Sequence, residues 1–458
     1  MRGKTVKRIL LWSAVALAVL AATYCVLRFG FDMDVLDQSG WNTKDGAVRY
    51  LDYWGRPQTG WQDIEGAQYY FLAEDGAMVT GWTEVDGALY YFREDGTKAT
   101  GWLEEENGRY YLGQDGVLHT GWLQLDEANY YLLPEDGRMV TGWFALDEHQ
   151  MYFSQEGVLQ TGWQTLEGKR FYFTPEGYTV SGWVELEGVR YQFAEDGSIV
   201  VGWFEDDSGK YYFDEDGRPH TGWLDWEQKR YYLKADGSVT TGWLELEQDR
   251  YYFLPTGRMA IGEVEVDGVS RFFTSTGKEV LFCNPWYAIP ADFQLDLVDI
   301  QGYKIDSAAK EPLQQMIDAA KEDGVHIGIN NTYRSHATQL AMWNNRIQQR
   351  MEAGMTKAEA EAKTGESLAI PGHSEHETGL ALDVNNGLNV YKWLGENCWD
   401  YGFILRYPDD RMNIIGIIYE PWHFRYVGTE LSLELKELGL CMEEYFDMLT
   451  EQQKAIAD

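Results

Sequence analysis

The chain has 458 residues, 44% of them hydrophobic, which is enough for more than one domain with a packed core. Acidic residues outnumber basic ones 74 to 38, and the net charge of −36 would repel phosphate, which argues against nucleic acid as a partner. Cys25, Cys283, Cys398 and Cys441 form no C-x-x-C pair, so a cysteine zinc site is disfavoured and they read as small hydrophobes.

The N-terminus carries Arg2, Lys4, Lys7 and Arg8 ahead of an uncharged apolar run, ILLWSAVALAVLAATYCVL, from Ile9 to Leu27. A membrane span needs roughly twenty such residues, and basic residues on one side keep that side in the cytoplasm. The pattern predicts a cytoplasmic tail at 1–8, a transmembrane signal anchor at 9–27 and a linker at 28–38, with all that follows outside the cell. The competing expectation is a signal peptide cut near Ala16-Leu17-Ala18. Either way the bulk of the chain is exported. Tyr24 before Cys25 disfavours a lipoprotein cleavage site.

Residues 39–281 repeat. From Trp41 through Trp61 and Trp82 to Trp243, tryptophans recur every 20 or 21 residues, mostly in a T-G-W triplet. Such a period marks a solenoid. One unit reads 80-TGWTEVDGALYYFREDGTKA-99. Asp86-Gly87 is a two-residue turn signal between aromatic runs, hence a β-hairpin. Alternation puts Tyr90 and Phe92 on one face and Tyr91 on the other. A lone hairpin is marginal in water, so stacked units should bury one another's aromatics. The last unit loses its tryptophan, at Ile261-Gly262-Glu263, as a terminal repeat should.

The combination of TGW, YYF and DG at fixed spacing resembles the cell-wall-binding repeats of Gram-positive surface proteins, a family with choline-binding and glucan-binding members. The resemblance implies attachment to a cell-wall polymer, choline-bearing or glycan. Choline-binding units usually carry a further aromatic just before the YY pair. Here that place holds Gln68, Leu89, Arg109, Asn129, Arg170, Arg190, Lys210, Arg230 or Arg250, and a cation there would oppose choline.

Composition changes near residue 282, leaving residues 282–458 for one compact domain. Leu313, Met316, Ile317 and Ala320 recur at helical spacing and predict a helix over 310–323, ended by Gly324. Residues 325–329 alternate as a strand, with His326 packed within it. Residues 337–362 are rich in helix formers, broken around Gly354. The β-branched and aromatic run 414-IIGIIYEPWHFRYV-427 predicts a strand. Without a βαβ rhythm, this mixture favours an α+β fold.

Within 371-PGHSEHETGLALDVN-385, Leu380, Leu382 and Val384 would share one strand face, leaving Asp383 free to face a cleft. His376 lies on the incoming turn, entered by way of Gly379. Imidazole and carboxylate are zinc ligands, and a catalytic zinc wants a third protein ligand with one position open. His423 is the natural third, with Glu420 as the base. In a regular strand Glu420 and His423 would face opposite sides, so Pro421 predicts a bend there. By spacing alone His373 competes with His376, and a fortuitous polar loop competes with a metal site. His119, His149 and His220 sit in the repeats, and His336 near a helix start; none is given a role.

The segments S-E-H-E-T-G-L-A-L-D (374–383), E-P-W-H (420–423), 332-TYRSHATQ-339 and 402-GFILRYP-408 resemble VanY-type D-alanyl-D-alanine carboxypeptidases, a similarity covering about 283–430. That resemblance implies that His376, Asp383 and His423 hold Zn2+ and that Glu420 is the catalytic base. It further implies that Arg334 meets the substrate's terminal carboxylate, helped by Ser374 and Gln339. Where the family usually has a small pair before YRS, this chain has Asn331-Thr332. The implied protein is a zinc metallo-carboxypeptidase, removing the C-terminal D-alanine of peptidoglycan stem peptides while held at the wall by repeats and at the membrane by its N-terminal helix. The alternatives are an L,D-carboxypeptidase acting on tetrapeptide stems and a wall-binding adhesin with an inactive peptidase domain.

Overall fold

A computed structural model describes residues 39–385 and 387–456. The predicted tail, anchor and linker at 1–38 lie outside the described residues. Among the described residues, no helix is long and apolar enough to cross a membrane. The chain divides into two compact units, one ending at Val200 and one beginning at Val201.

The first unit contains eight two-stranded antiparallel hairpins, from Gly40–Lys44 with Ala47–Leu51 to Gly182–Leu186 with Val189–Phe193. Their turns follow from sequence. Val85 pairs with Ala88, so Asp86-Gly87 is the whole connection, and both residues have positive φ, +53° and +82°. Such a turn matches the twist of the strands it joins, and glycine takes that conformation at little cost. From the second hairpin on, the last residue of the second strand forms the core: Phe71, Phe92, Leu112, Leu132, Phe153 and Phe173 are 0% exposed. Tryptophans bridge neighbours. Trp61 lies 5.3 Å from cross-strand Tyr70 and 5.0 Å from Tyr90 of the next hairpin, edge to face. Backbone bonds add to this, since the Lys98 amide donates to the Gln68 carbonyl of the preceding hairpin at 2.8 Å. The stacking expected of repeats that cannot stand alone is therefore present.

Four more hairpins open the second unit, the last being Gly262–Val266 with Val269–Phe273. Helices α1 (Ser307–Glu322), α2 (His336–Glu352), α3 (Lys357–Gly365), α4 (Leu388–Asn397), α5 (Met412–Ile415), α6 (Thr429–Leu438) and α7 (Met442–Ala455) follow. Strands β1 (Leu297–Ile300) and β2 (Tyr303–Asp306) form a hairpin. Strands β3 (Ile329–Asn331), β4 (Ala381–Val384), β5 (Phe403–Leu405) and β6 (His423–Tyr426) form an antiparallel sheet in the order β3-β4-β6-β5. Leu313, Met316, Leu382, Val384 and Phe424 pack together between α1 and this sheet. The α+β expectation and the repeated hairpins both stand.

The elements depart from the sequence reading in three places. Helix α1 starts at Ser307, because the Asp306 carboxylate caps it by accepting from the Ala308 amide at 3.0 Å. The strand expected over 325–329 forms only at Ile329–Asn331. Its earlier residues are committed elsewhere: the Val325 amide bonds the Ala320 carbonyl, and the Gly328 amide bonds Asn385. His326, expected to be packed, is consequently exposed. Of the strand expected over 414–427 only His423–Tyr426 forms, since Gly416 (φ +79°) ends the short helix α5. The helical stretch broken near Gly354 is found as α2 and α3, the latter opened by a Thr356–Glu359 capping box.

Cys283 and Cys398 are buried free thiols, and burial pushes both up to about 12, in keeping with small core residues.

Candidate metal centre

The centre is assembled by the register of two strands. Asp383 of β4 stands directly opposite His423 of β6, while Leu382 faces Phe424 in the adjacent pair. Opposed residues share a face, so the leucine pair enters the core and the polar pair the cleft. Gly379 admits the chain to β4 at φ +77°, where a Cβ would stand 3.0 Å from the Asp306 amide and 2.8 Å from Leu297. The incoming turn is a 3-10 turn, Glu375–Thr378, and carries His376.

One donor atom each from His376, Asp383 and His423 lies within 4.8 Å of the others. His376 Nε2 stands 3.3 Å from Asp383 Oδ2, and His423 Nδ1 stands 3.1 Å from Asp383 Oδ1. Both second nitrogens are engaged away from the cluster. His376 Nδ1 bonds the Thr332 carbonyl, and His423 Nε2 faces Glu375 Oε2 at 3.4 Å. Two imidazoles with their outer nitrogens so committed, plus a carboxylate, suit zinc and leave room for a further ligand. His373 is not in the cluster: its Nδ1 bonds the Asn284 carbonyl at 2.8 Å. His336, at the start of α2, pairs with Glu377 at 2.6 Å.

Glu420 Oε2 lies 3.9 Å from His423 Nδ1. The bend expected at Pro421 makes this possible. The His423 amide donates to the Glu420 carbonyl at 3.1 Å, and β6 begins only at His423. Arg334 is tied to the same turn, its amide donating to the His376 carbonyl at 2.9 Å. Its Nη1 donates to Gln339 Oε1 at 2.7 Å. Gln339 is 0% exposed and also donates to the Ala369 carbonyl, so it stands behind Arg334. Ser374 is buried as the residue preceding the His376 turn.

The electrostatics favour a cation. Burial alone would strip the proton from His423, but hydrogen bonds to Asp383 and Glu375 outweigh it and hold the imidazole up to about 9. Burial pushes His376 down instead. Asp383 is held well below the usual carboxylate range, because bonds from both histidines overcome the cost of its burial. Two carboxylates placed against one buried imidazole give the pocket a field that favours positive charge. Burial raises Glu420, moving that carboxylate towards the range of a general base. Burial lowers Arg334, against the fields of Asp383, Glu377 and Glu420.

Three neighbours were given no site role from sequence, although Asn331-Thr332 was noted as the pair before YRS. Asn331 Nδ2 lies 3.3 Å from both His376 Nδ1 and Asp383 Oδ2. Thr332 supplies the carbonyl beneath His376, and Glu375 the carboxylate behind His423. Their available signal was adjacency, to the YRS segment and to His376.

In the repeats, the cations before the YY pairs lie on tryptophan faces. The guanidinium carbons of Arg109, Arg170, Arg190, Arg230 and Arg250 stand 4.0–4.4 Å from the ring centroids of Trp102, Trp163, Trp183, Trp223 and Trp243. Lys210 Nζ is 4.7 Å from Trp203.

The VanY family model, described as D-alanyl-D-alanine carboxypeptidase, matches residues 302–429. A choline-binding repeat model matches residues 58–85 and 79–118, and a cell wall binding repeat matches 201–218. The chain is 38% identical over 175 residues to a D-alanyl-D-alanine carboxypeptidase of Enterococcus faecalis, covering 37% of this chain and 65% of that one. It is 36% identical over 141 residues to the bifunctional D-Ala-D-Ala dipeptidase and D-Ala-D-Ala carboxypeptidase VanXYC of Enterococcus gallinarum, covering 27% of this chain and 68% of that one. Among solved structures it is similar to CbpJ of Streptococcus pneumoniae, with a TM-score of 0.41, 27% identity, and coverage of 52% and 99% of the two chains. The chain thus spans just under two thirds of the Enterococcus faecalis relative's length. By its C-terminal domain, the chain belongs to the VanY family of D-alanyl-D-alanine carboxypeptidases.

Proposed function

We propose that the protein is a zinc-dependent D,D-carboxypeptidase that removes the terminal D-alanine from peptidoglycan stem peptides while its repeats hold it at the cell wall. The observation that carries this reading is the convergence of His376, Asp383 and His423 donor atoms within 4.8 Å, with Glu420 beside them. In this reading those three residues would hold zinc. A zinc ion held there would supply Lewis acidity, lowering the pKa of a bound water and polarising the scissile carbonyl. Glu420 takes the proton of the attacking water and returns it to the leaving amine. Arg334 binds the free carboxylate of the substrate, which makes the enzyme an exopeptidase. Gln339 keeps that guanidinium in place, and Ser374 helps to order the turn that carries His376.

Residues 282–458 are the catalytic portion in this reading and 39–281 the wall-binding portion. The apolar run 9–27 supports membrane anchoring with the remainder outside, which fractionation of cells would test. The repeats bind a cell-wall polymer, choline-bearing or glycan; at the cation-bearing hairpins the chain's own cation lies on a tryptophan face that a quaternary ammonium would take, which counts against choline there.

The test uses the full chain. D-alanine release from pentapeptide stems, abolished by chelation and restored by zinc, is expected. Release only from tetrapeptide stems, identified by product masses, would move the reading to an L,D-carboxypeptidase. Zinc-loaded protein inert on both would support the adhesin alternative.

A further inference from the structure

The catalytic reading uses one face of His423 and leaves its other nitrogen in contact with a buried chain of charges. Glu375 is 2% exposed, with Oε2 3.4 Å from His423 Nε2. Its Oε1 accepts from Arg406 Nε at 2.8 Å and lies 3.6 Å from Arg425 Nη1. Arg406, 1% exposed, reaches onward to Glu443 of α7 through two bonds, 3.0 and 2.7 Å. Glu443 also accepts from Asn284 Nδ2 at 3.1 Å. Helix α7 is in turn fastened to the last hairpin, where Thr450 accepts from the Glu263 amide and Gln453 from the Ile261 amide, both at 2.8 Å.

Buried ion pairs of this kind are weak contributors to stability, and apolar side chains of similar volume often do as well. A stability role therefore does not account for a carboxylate placed against the outer nitrogen of this one imidazole. An outer carboxylate fixes both the tautomer and the ring plane of a ligating histidine.

We propose that Glu375 is the positioning residue for His423: its carboxylate holds the ring at Nε2, turning Nδ1 towards Asp383 and His376, and is itself anchored through Arg406 to Glu443 on the C-terminal helix. This rests on the metal reading of the centre. It adds a residue that never touches substrate but sets the geometry and affinity of the metal site. Arg406 and Arg425 balance the carboxylate's charge, so that it can be buried without being lost to protonation. The bidentate bond to Glu443 keeps Arg406 from swinging away.

The experiment measures zinc affinity of the full-length protein by competition with a chromophoric chelator, and the visible absorption of the cobalt-substituted protein. Glu375→Gln removes the charge but keeps an acceptor. Glu375→Asp keeps the charge for Arg406 but falls short of His423. Both variants should bind zinc about 10–100-fold more weakly than the parent, with a shifted cobalt spectrum. Their metal-free forms should unfold cooperatively. A folded variant with parental zinc affinity and an unchanged cobalt spectrum would overturn the proposal and leave Glu375 as a counter-ion for the two arginines. Should Glu375→Gln not fold, Glu375→Asp decides. Failure of the parent itself to bind zinc would instead remove the metal reading.

Discussion

Phe153 in the hairpin array and Asp383 in the C-terminal sheet are both fixed by neighbours, yet the neighbours differ in kind. Phe153 is 0% exposed and meets Trp122 of the hairpin before it at 6.1 Å. The same arrangement recurs elsewhere, as with Phe92 and Trp61 or Phe173 and Trp143. Asp383 has one such environment, made by His376 seven residues before it and His423 forty residues after it. An array shares its burial among near-identical units, so damage stays between neighbours. A single-copy polar centre has no spare members, and each loss is complete.

Four changes would break or sharpen that contrast. Glu420→Gln should lower kcat by about 10²–10⁴-fold while zinc stays bound; parallel assays of D-alanine release and metal content measure this, and lost metal would mean the residue is a ligand. Phe153→Ala should cost about 3–5 kcal/mol of local stability. Hydrogen exchange should detect it in adjoining hairpins, while D-alanine release stays at the parental rate. A matching fall in activity would show that the array and the catalytic centre are energetically coupled. Gln339→Ala frees Arg334, and KM should rise about tenfold, the worth of roughly one hydrogen bond to a charged group, with kcat little changed. A fall confined to kcat would place Gln339 at the reacting atoms instead. Arg230→Ala uncovers the Trp223 face, and choline should then quench tryptophan fluorescence with a few-fold gain in affinity, from about 0.5–1 kcal/mol of cation–π energy. No gain would mean that the guanidinium is not what keeps choline out.

The two regions were also unequally legible. Hairpins could be read residue by residue, because Asp86-Gly87 and the alternation of Tyr90, Tyr91 and Phe92 act over two to five positions. The ligand set was visible as separate segments, and the bend at Pro421 followed from proline's missing donor. Where the run 414–427 suggested one long strand, β-branched composition was overruled by Gly416, whose backbone ended α5 and left β6 to start at His423. The exposure of His326 was likewise beyond reach, since it depends on Gly328 bonding Asn385, 57 residues away.

Sequence alone determined the hairpin period, the α+β character of the C-terminal part and the identity of the candidate ligands, all of which rest on local propensity and motif. Tertiary structure decided that His376 stands beside Asp383 and His423 while His373 turns to the Asn284 carbonyl, the register that sets Asp383 opposite His423, and the burial of Glu375 behind it. Those outcomes depend on pairings between distant segments, and the free energy of such pairings is a property of the folded packing that no short window of residues contains.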